Sequence, residues 1–136
     1  MSTTRQSNVD GQEFASIPRD AITAAATTTF AIATAQRPFR VDAIELITDA
    51  TITQDPANFY ALVFRVGGRT VATYSFATGV NGTLTAAVPA LATLATESGQ
   101  NRVAAKNDVI DVVATKNGAA TNLSNLRAVV HGRYVG

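Results

Sequence analysis

His131 is the only histidine in the chain, so any imidazole chemistry, whether acid–base catalysis or metal binding, would depend on it. A serine hydrolase would place a serine hydroxyl beside this ring and a carboxylate behind it. Five serines are candidate nucleophiles: Ser7, Ser16, Ser75, Ser98 and Ser124. None of them lies in a nucleophile-elbow motif. In the last predicted strand His131 alternates with Val129 and Arg133, which favours a surface or interface position over a catalytic one.

Carboxylate pairs are the other candidates, because glycosidases use two of them. Asp42 and Glu45 would point to opposite faces of a regular strand, since side chains alternate along it. Asp49 and Asp55 share a loop and could bind calcium, but the loop lacks EF-hand spacing, and solvated carboxylates are the simpler interpretation. The sequence therefore predicts no catalytic residue, no metal ligand and no cofactor. A hydrolase would require His131 to cluster with carboxylates in space.

Composition excludes several other classes of protein. With 136 residues the chain has the length of one domain, and without cysteine it has neither disulfides nor a zinc–thiolate site. A net charge of +1 and scattered Lys and Arg residues predict no nucleic-acid binding. No apolar run approaches the roughly 20 residues of a membrane span, so we expect no membrane association. The first residues, MSTTRQSNVDGQEF, lack the apolar segment of a signal peptide, which predicts a protein made and kept without export through a cleaved signal.

The stretch from 57 to 77 is the most strongly patterned part of the chain. Two runs rich in aromatic and β-branched residues flank Gly67-Gly68, a pair that suits a two-residue hairpin turn. Alternation places one apolar set on one face of the hairpin: Tyr60, Leu62, Phe64, Val66 and Val71. A second set falls on the other face: Phe59, Ala61, Val63, Ala72, Tyr74 and Phe76. Since neither face is polar, we expect one to pack in the core and the second set to be covered by another sheet layer or by a neighbouring subunit.

The remaining chain reads as further short strands. These β segments cover 20–35, 40–48, 84–96, 103–105, 108–115 and 126–135. Val41 and Ile44 differ in parity, which predicts either a β-bulge or burial on both faces. Residues 84–96 fit a strand or a short helix beginning near Pro89, and the threonine content favours the strand. About eight strands without a long amphipathic helix predict an all-β, jelly-roll-like antiparallel sandwich.

A family resemblance covers the half of the chain from Phe59 to Val135. The stretches NFYALVFRVGG, VPALATLAT, VAAKNDVIDVVATKNG and LRAVVHGRYV resemble the small jelly-roll proteins of tailed-bacteriophage virions, such as capsid decoration (cement) proteins. The resemblance implies a trimeric, non-enzymatic protein located in the virion and assembled in the host cytoplasm, whose partners are copies of itself and the major capsid protein or other virion subunits. Head or tail fibre and baseplate modules that bind host-surface glycans are the alternative.

Residues 1–19 precede this sandwich, which would span 20–136. They are polar and show neither helical nor strand periodicity, so we expect an extended arm. Val9, Phe14 and Ile17 are spaced to occupy separate pockets along an extended path. Because so few apolar residues cannot offset the ordering entropy of the arm, we expect it to be held by a neighbouring subunit or by the capsid surface.

Overall fold

A computed structural model describes residues 13–135 of the chain. This part is all-β and contains no helix. Eleven strands follow one another: β1 (Glu13–Pro18), β2 (Ile22–Ala24), β3 (Thr28–Thr34), β4 (Phe39–Thr48), β5 (Phe59–Val66), β6 (Arg69–Ser75), β7 (Ala90–Leu91), β8 (Thr93–Leu94), β9 (Val103–Ala104), β10 (Val109–Asn117) and β11 (Leu123–Tyr134). The number exceeds the expected eight because three of them, β7 to β9, are only two residues long.

The strands form two antiparallel sheets that pack as a sandwich. The six-stranded sheet has the order β1-β11-β4-β7, with β2 also paired to β11 and β9 to β4. The five-stranded sheet has the order β3-β10-β5-β6-β8. The chain changes sheet at most of its connections, as it does in jelly rolls. The predicted fold class, an all-β jelly-roll-like sandwich, is confirmed.

The core lies between the inner faces of the two sheets. Strand β5 shows why: its burial alternates at every residue, with Tyr60, Leu62, Phe64 and Val66 buried and their neighbours half-buried. Strands β4 and β11 supply the facing apolar side chains of the other sheet. Alternation of this kind is the pattern of a strand that packs on one side only.

A bulge in β6 corrects the predicted faces of the hairpin. Phe64 pairs with Ala72, but Arg65 pairs with Thr70, so Val71 is an extra residue in β6. Val71 and Ala72 are consecutive and both buried. Because one inserted residue reverses the alternation beyond it, the second predicted set does not share a face. Three of its members, Ala72, Tyr74 and Phe76, are buried in the core.

A second bulge lies in β4. It confirms the first of the two predicted alternatives, a β-bulge or burial on both faces. Val41 pairs with Gly132 and Ala43 with His131, so Asp42 is the extra residue. Gly132 is required here, because a Cβ atom on it would lie 2.0 Å from the carbonyl oxygen of Arg40. The bulge also turns Asp42 to the outer face that carries Glu45, which corrects the expectation of opposite faces.

Residues 84–96 contain no helix, and within them only the short strands β7 and β8 form, so the favoured strand is confirmed over just these four residues. β7 belongs to the six-stranded sheet and β8 to the five-stranded sheet, with the buried Ala92 between them. The segment therefore crosses from one sheet to the other, and neither a helical nor a strand period extends over its whole length.

The predicted arm is partly a strand of the sandwich. β1 pairs with β11 from Glu13↔Tyr134 to Pro18↔Val129, so Glu13–Pro18 forms an edge of the protein's own sheet. Ile17 packs against the core, whereas Phe14 is 70% exposed. Val9 lies outside the described residues. The local signal for this strand was weak, because only two large apolar side chains lie within its six residues.

Candidate functional site

The outer face of the six-stranded sheet is charged. Arg40 and Arg133 both contact the carboxylate of Asp42, at 3.2 and 3.4 Å. Arg40 also reaches Glu97 at 2.7 Å, and Arg127 lies 3.6 Å from Asp49. These half-buried or exposed pairs add little to stability, but they give this face the charged, hydrated surface that protein interfaces tend to avoid.

His131 lies on the same charged face, beside a serine and a carboxylate. Its Nδ1 atom is 2.8 Å from the hydroxyl of Ser16, and its Nε2 atom is 3.7 Å from a carboxylate oxygen of Glu45. The pairing of β1 with β11 places Ser16 directly opposite His131. The sequence predicted no such contact, because β1 itself was not recognised as a strand.

The geometry of this cluster favours an ordinary surface contact over nucleophile activation. A distance of 3.7 Å is too long for the carboxylate–imidazole hydrogen bond that orients the base in a catalytic triad. His131 and Glu45 are also 40% and 37% exposed, so water screens their interaction. His131 therefore has a hydrogen bond to Ser16 but none to Glu45, so the carboxylate that a hydrolase needs is near the imidazole without orienting it.

The outer face of the five-stranded sheet has a different character. One row of side chains crosses all five strands in register: Thr29, Val113, Val63, Thr73 and Thr93. The row on one side of it consists of Ala31, Asp111, Arg65 and Thr70. The row on the other side consists of Thr115, Ala61 and Ser75. Among these described side chains only Arg65 and Asp111 are charged. We call this surface the smooth face, because nearly all of its side chains are small or β-branched.

Arg65 and Asp111 neutralise each other on the smooth face. The guanidinium donates two hydrogen bonds to the carboxylate, at 2.8 and 2.7 Å. This bond, together with the charge of Asp111, raises the pKa of Arg65. A bidentate pair presents planar, satisfied groups, so the smooth face carries no net charge and no unpaired ion.

The predicted interface residues divide between the smooth face and the core. Phe59, Ala61 and Val63 are half-buried on the smooth face, with Phe59 at its end. The other three members of the set lie in the core, as described above. The arm residues Phe14 and Ile17 are on β1, at an edge of the opposite sheet. The structure therefore brings together only half of the predicted set.

One end of the sandwich contains a groove of about 550 Å³. Its walls are the loop that follows β4 and the loop between β10 and β11. The lining includes seven neutral hydrogen-bonding side chains: Thr51, Thr53, Gln54, Asn58, Thr121, Asn122 and Ser124. Asp55 is the single carboxylate of the lining, and Ile52 and Phe59 supply apolar surface. Sequence reasoning missed this groove, because its walls are more than sixty residues apart in the chain.

The groove is built on a loop with many internal hydrogen bonds. Ile52 and Leu84 exchange backbone bonds of 2.9 and 3.0 Å. The carboxylate of Asp55 accepts bonds from the N–H groups of Ala57 and Asn58, which lowers its pKa. The amide oxygen of Asn58 accepts a 2.8 Å bond from the N–H of Ala119 and so joins the two walls.

Within residues 13–135, no group of three or more His, Asp and Glu side chains is placed to hold a metal ion. No helix of this region is long and apolar enough to cross a membrane.

Comparison with known proteins shows a likeness in fold. No protein-family model matches the chain, and no curated protein matches it. It resembles a chain in the structure of the Gx strain of infectious bursal disease virus, with a TM-score of 0.46 and 15% identity over 92% of this chain and 32% of that one. A mutant VP2 protein of the same virus, from derived T=1 particles, gives a TM-score of 0.47 and 18% identity over 93% and 32%. The chain thus spans about a third of the length of the structures it matches.

Proposed function

We propose that this chain is a non-enzymatic structural subunit of a virus particle, a capsid decoration (cement) protein that forms homo-oligomers through its smooth face. The observation that carries the proposal is the difference between the two outer faces of the sandwich. One carries a network of several half-buried or exposed charges, and the other carries a single neutralised pair among small side chains. Depletion of unpaired charge is the compositional feature of interface centres.

The physical reason lies in the cost of desolvation. Covering the half-buried network Arg40–Asp42–Arg133 would strip the remaining water from three ions, whereas covering the smooth face affects one satisfied pair. Small and β-branched side chains also lose little rotamer entropy when they are covered. The smooth face is therefore the surface of this sandwich that a partner can cover at least cost.

The size of the smooth face indicates that flanking loops take part as well. Four strands of seven to nine residues, spaced about 4.8 Å apart, together with the two-residue β8 give a footprint of about 500 Å². A stable interface buries about 800 Å² on each partner. A trimer also needs a second, different patch, because cyclic contacts with three subunits join unlike surfaces. Val88 and Leu91, which are 53% and 64% exposed near β7, form the patch that we assign to this contact.

The implied partners are other copies of this chain and the major capsid protein or other virion subunits, and the implied location is the virion. The structures that share the sandwich are virus proteins, but the proposal rests on the chain's own surface and on the resemblance of its sequence to decoration proteins. We expect neither nucleic acid nor membrane among the partners, because the net charge is only +1.

The oligomer is tested by placing one charge on the smooth face. We expect Val63→Lys to dissociate the protein into folded monomers, because the central strand β5 would then bring an unpaired ammonium into the interface. Val129→Lys is the matched control, since Val129 is also a half-buried valine on the outer face of a central strand, but in the charged sheet. Analytical ultracentrifugation at micromolar concentration measures the mass against the 14.2 kDa of one chain.

The expected masses are three times that value for the wild type and Val129→Lys, and one chain for Val63→Lys. Circular dichroism should remain the same for all three proteins. A monomeric wild type, or a trimer that withstands Val63→Lys, would refute assembly through the smooth face.

A further inference from the structure

We propose that the groove at the end of the sandwich is a binding site for a neutral saccharide. It adjoins the end of the smooth face at Phe59 but lies outside the rows of that face, and the proposed structural role does not require it. Its volume of about 550 Å³ lies within the range of small-molecule sites and suits one or two sugar rings.

The charge of the lining indicates the class of ligand. Among the described residues that line the groove, none is Lys or Arg, and the one ionisable group is the carboxylate of Asp55. The two N–H donors on this carboxylate lower its pKa, so it is ionised at neutral pH. Lys116 is not part of the lining, but its Nζ atom lies 3.4 Å from the amide oxygen of Asn122, so one carboxylate and one nearby cation leave the groove without a net charge that would select an anionic ligand.

The polar groups of the lining match hydroxyls. Amide and hydroxyl side chains such as Gln54, Asn122 and Thr121 offer donors and acceptors together, and a sugar hydroxyl needs both. Phe59 is half-buried and presents ring surface on which the C–H groups of a sugar can pack. A purely apolar ligand would displace water from these amide and hydroxyl groups without replacing its hydrogen bonds, at a cost for each group.

A peptide is a poorer match than a saccharide. Peptides that bind β-proteins commonly add a strand and use main-chain groups of the host. The loop after β4 has already committed such groups: Ile52 pairs with Leu84, the N–H of Asp55 with the carbonyl of Phe76, and the N–H of Thr78 with the carbonyl of Asp55. The side chains therefore remain as the groups that can meet a ligand.

The groove is also organised before any ligand binds. The Asp55 turn and the bond from Ala119 to Asn58 hold the two walls in place. Gly118 packs so closely that a Cβ atom on it would lie 2.8 Å from the carbonyl oxygen of Ala57. A site that needs little ordering retains more of its contact free energy as affinity.

The experiment is an NMR titration of the full chain with glucose, galactose, mannose, N-acetylglucosamine and their disaccharides. We expect amide shifts in residues 50–60 and 119–124 with at least one of these sugars. Asn122→Ala and Gln54→Ala should each weaken that binding about tenfold, which corresponds to loss of one good hydrogen bond. Gln36→Ala is the matched control, because this exposed glutamine precedes β4 and so lies at the opposite end of the sandwich.

The amide spectra of the variants show whether each remains folded. Absence of shifts with every neutral sugar, shifts outside the groove, or equal binding by Asn122→Ala, Gln54→Ala and the wild type would overturn the site. So would binding confined to sialylated sugars or to peptides. Val63→Lys should bind sugar like the wild type, and the groove variants should remain oligomeric, so the two proposals fail independently.

Discussion

At the scale of single residues, Asp55 shows how a loop side chain supports a site. Its carboxylate accepts N–H bonds from Ala57 and Asn58, and these bonds lower its pKa from the ordinary value of 3.8. Since the folded pKa is below the unfolded one, the ionised carboxylate stabilises the fold above about pH 4. This stabilisation is lost as the pH falls through the folded pKa.

We therefore expect Asp55→Asn to weaken the acid dependence of stability. The amide oxygen of asparagine can accept the same N–H bonds, but it does not titrate. The melting temperature of the wild type should fall more steeply below pH 4 than that of the variant, and the difference between them should shrink towards pH 2. Thermal melts by circular dichroism between pH 7 and pH 2 measure this, and parallel curves would show that Asp55 is not coupled to folding.

At the scale of elements, the bulge in β6 decides which side chains are core and which are surface. Tyr74 is 2% exposed and packs against Phe76 with ring centroids 5.0 Å apart. Thr73, its neighbour, lies exposed on the smooth face opposite Val63. Without the inserted Val71 the two would exchange places.

This assignment predicts opposite outcomes for two adjacent aspartates. Tyr74→Asp should leave the chain unfolded, because it buries a carboxylate and empties the volume of an aromatic ring, at a cost above about 4 kcal/mol. Thr73→Asp should remain folded, with a change of at most about 1 kcal/mol in the monomer, and should weaken the oligomer. Urea unfolding followed by circular dichroism compares them. Similar midpoints for both variants would contradict the bulge.

At the scale of the whole molecule, the sandwich separates three surfaces. The smooth face lies on one side, the charged face with His131 on the other, and the groove at one end. The edge strand β1 presents Phe14, which is 70% exposed, next to the residues that precede the described part. We propose that this edge is where the chain attaches to the capsid, as the predicted arm implied.

Attachment is tested by pelleting phage heads that lack the protein. Wild-type protein should sediment with the heads, and Phe14→Ser should reduce the bound fraction severalfold, because the variant loses most of the transfer free energy of one aromatic side chain. Val80→Ser is the control, since Val80 is similarly exposed at 65% but lies in the turn after β6. If both variants sediment like the wild type, Phe14 is not part of the attachment.

The fold class follows from local signals in the sequence. Alternation over β5, the turn at Gly67-Gly68 and the parity change in β4 each depend on residues close together in the chain, and the structure confirms each of them.

Three features were decided only by the tertiary structure. The position of the β6 bulge depends on how β6 pairs with β5, because Val71 and Ala72 are both apolar and either could face inward. Strand β1 exists through its pairing with β11, and this pairing alone brings Ser16 to His131 across 115 residues. The groove likewise needs two distant loops at one end of the sandwich. Side-chain alternation depends on residues that are neighbours in the chain, whereas register and proximity depend on which strand or loop lies alongside. These three features could not be predicted because no local sequence pattern specifies that partner.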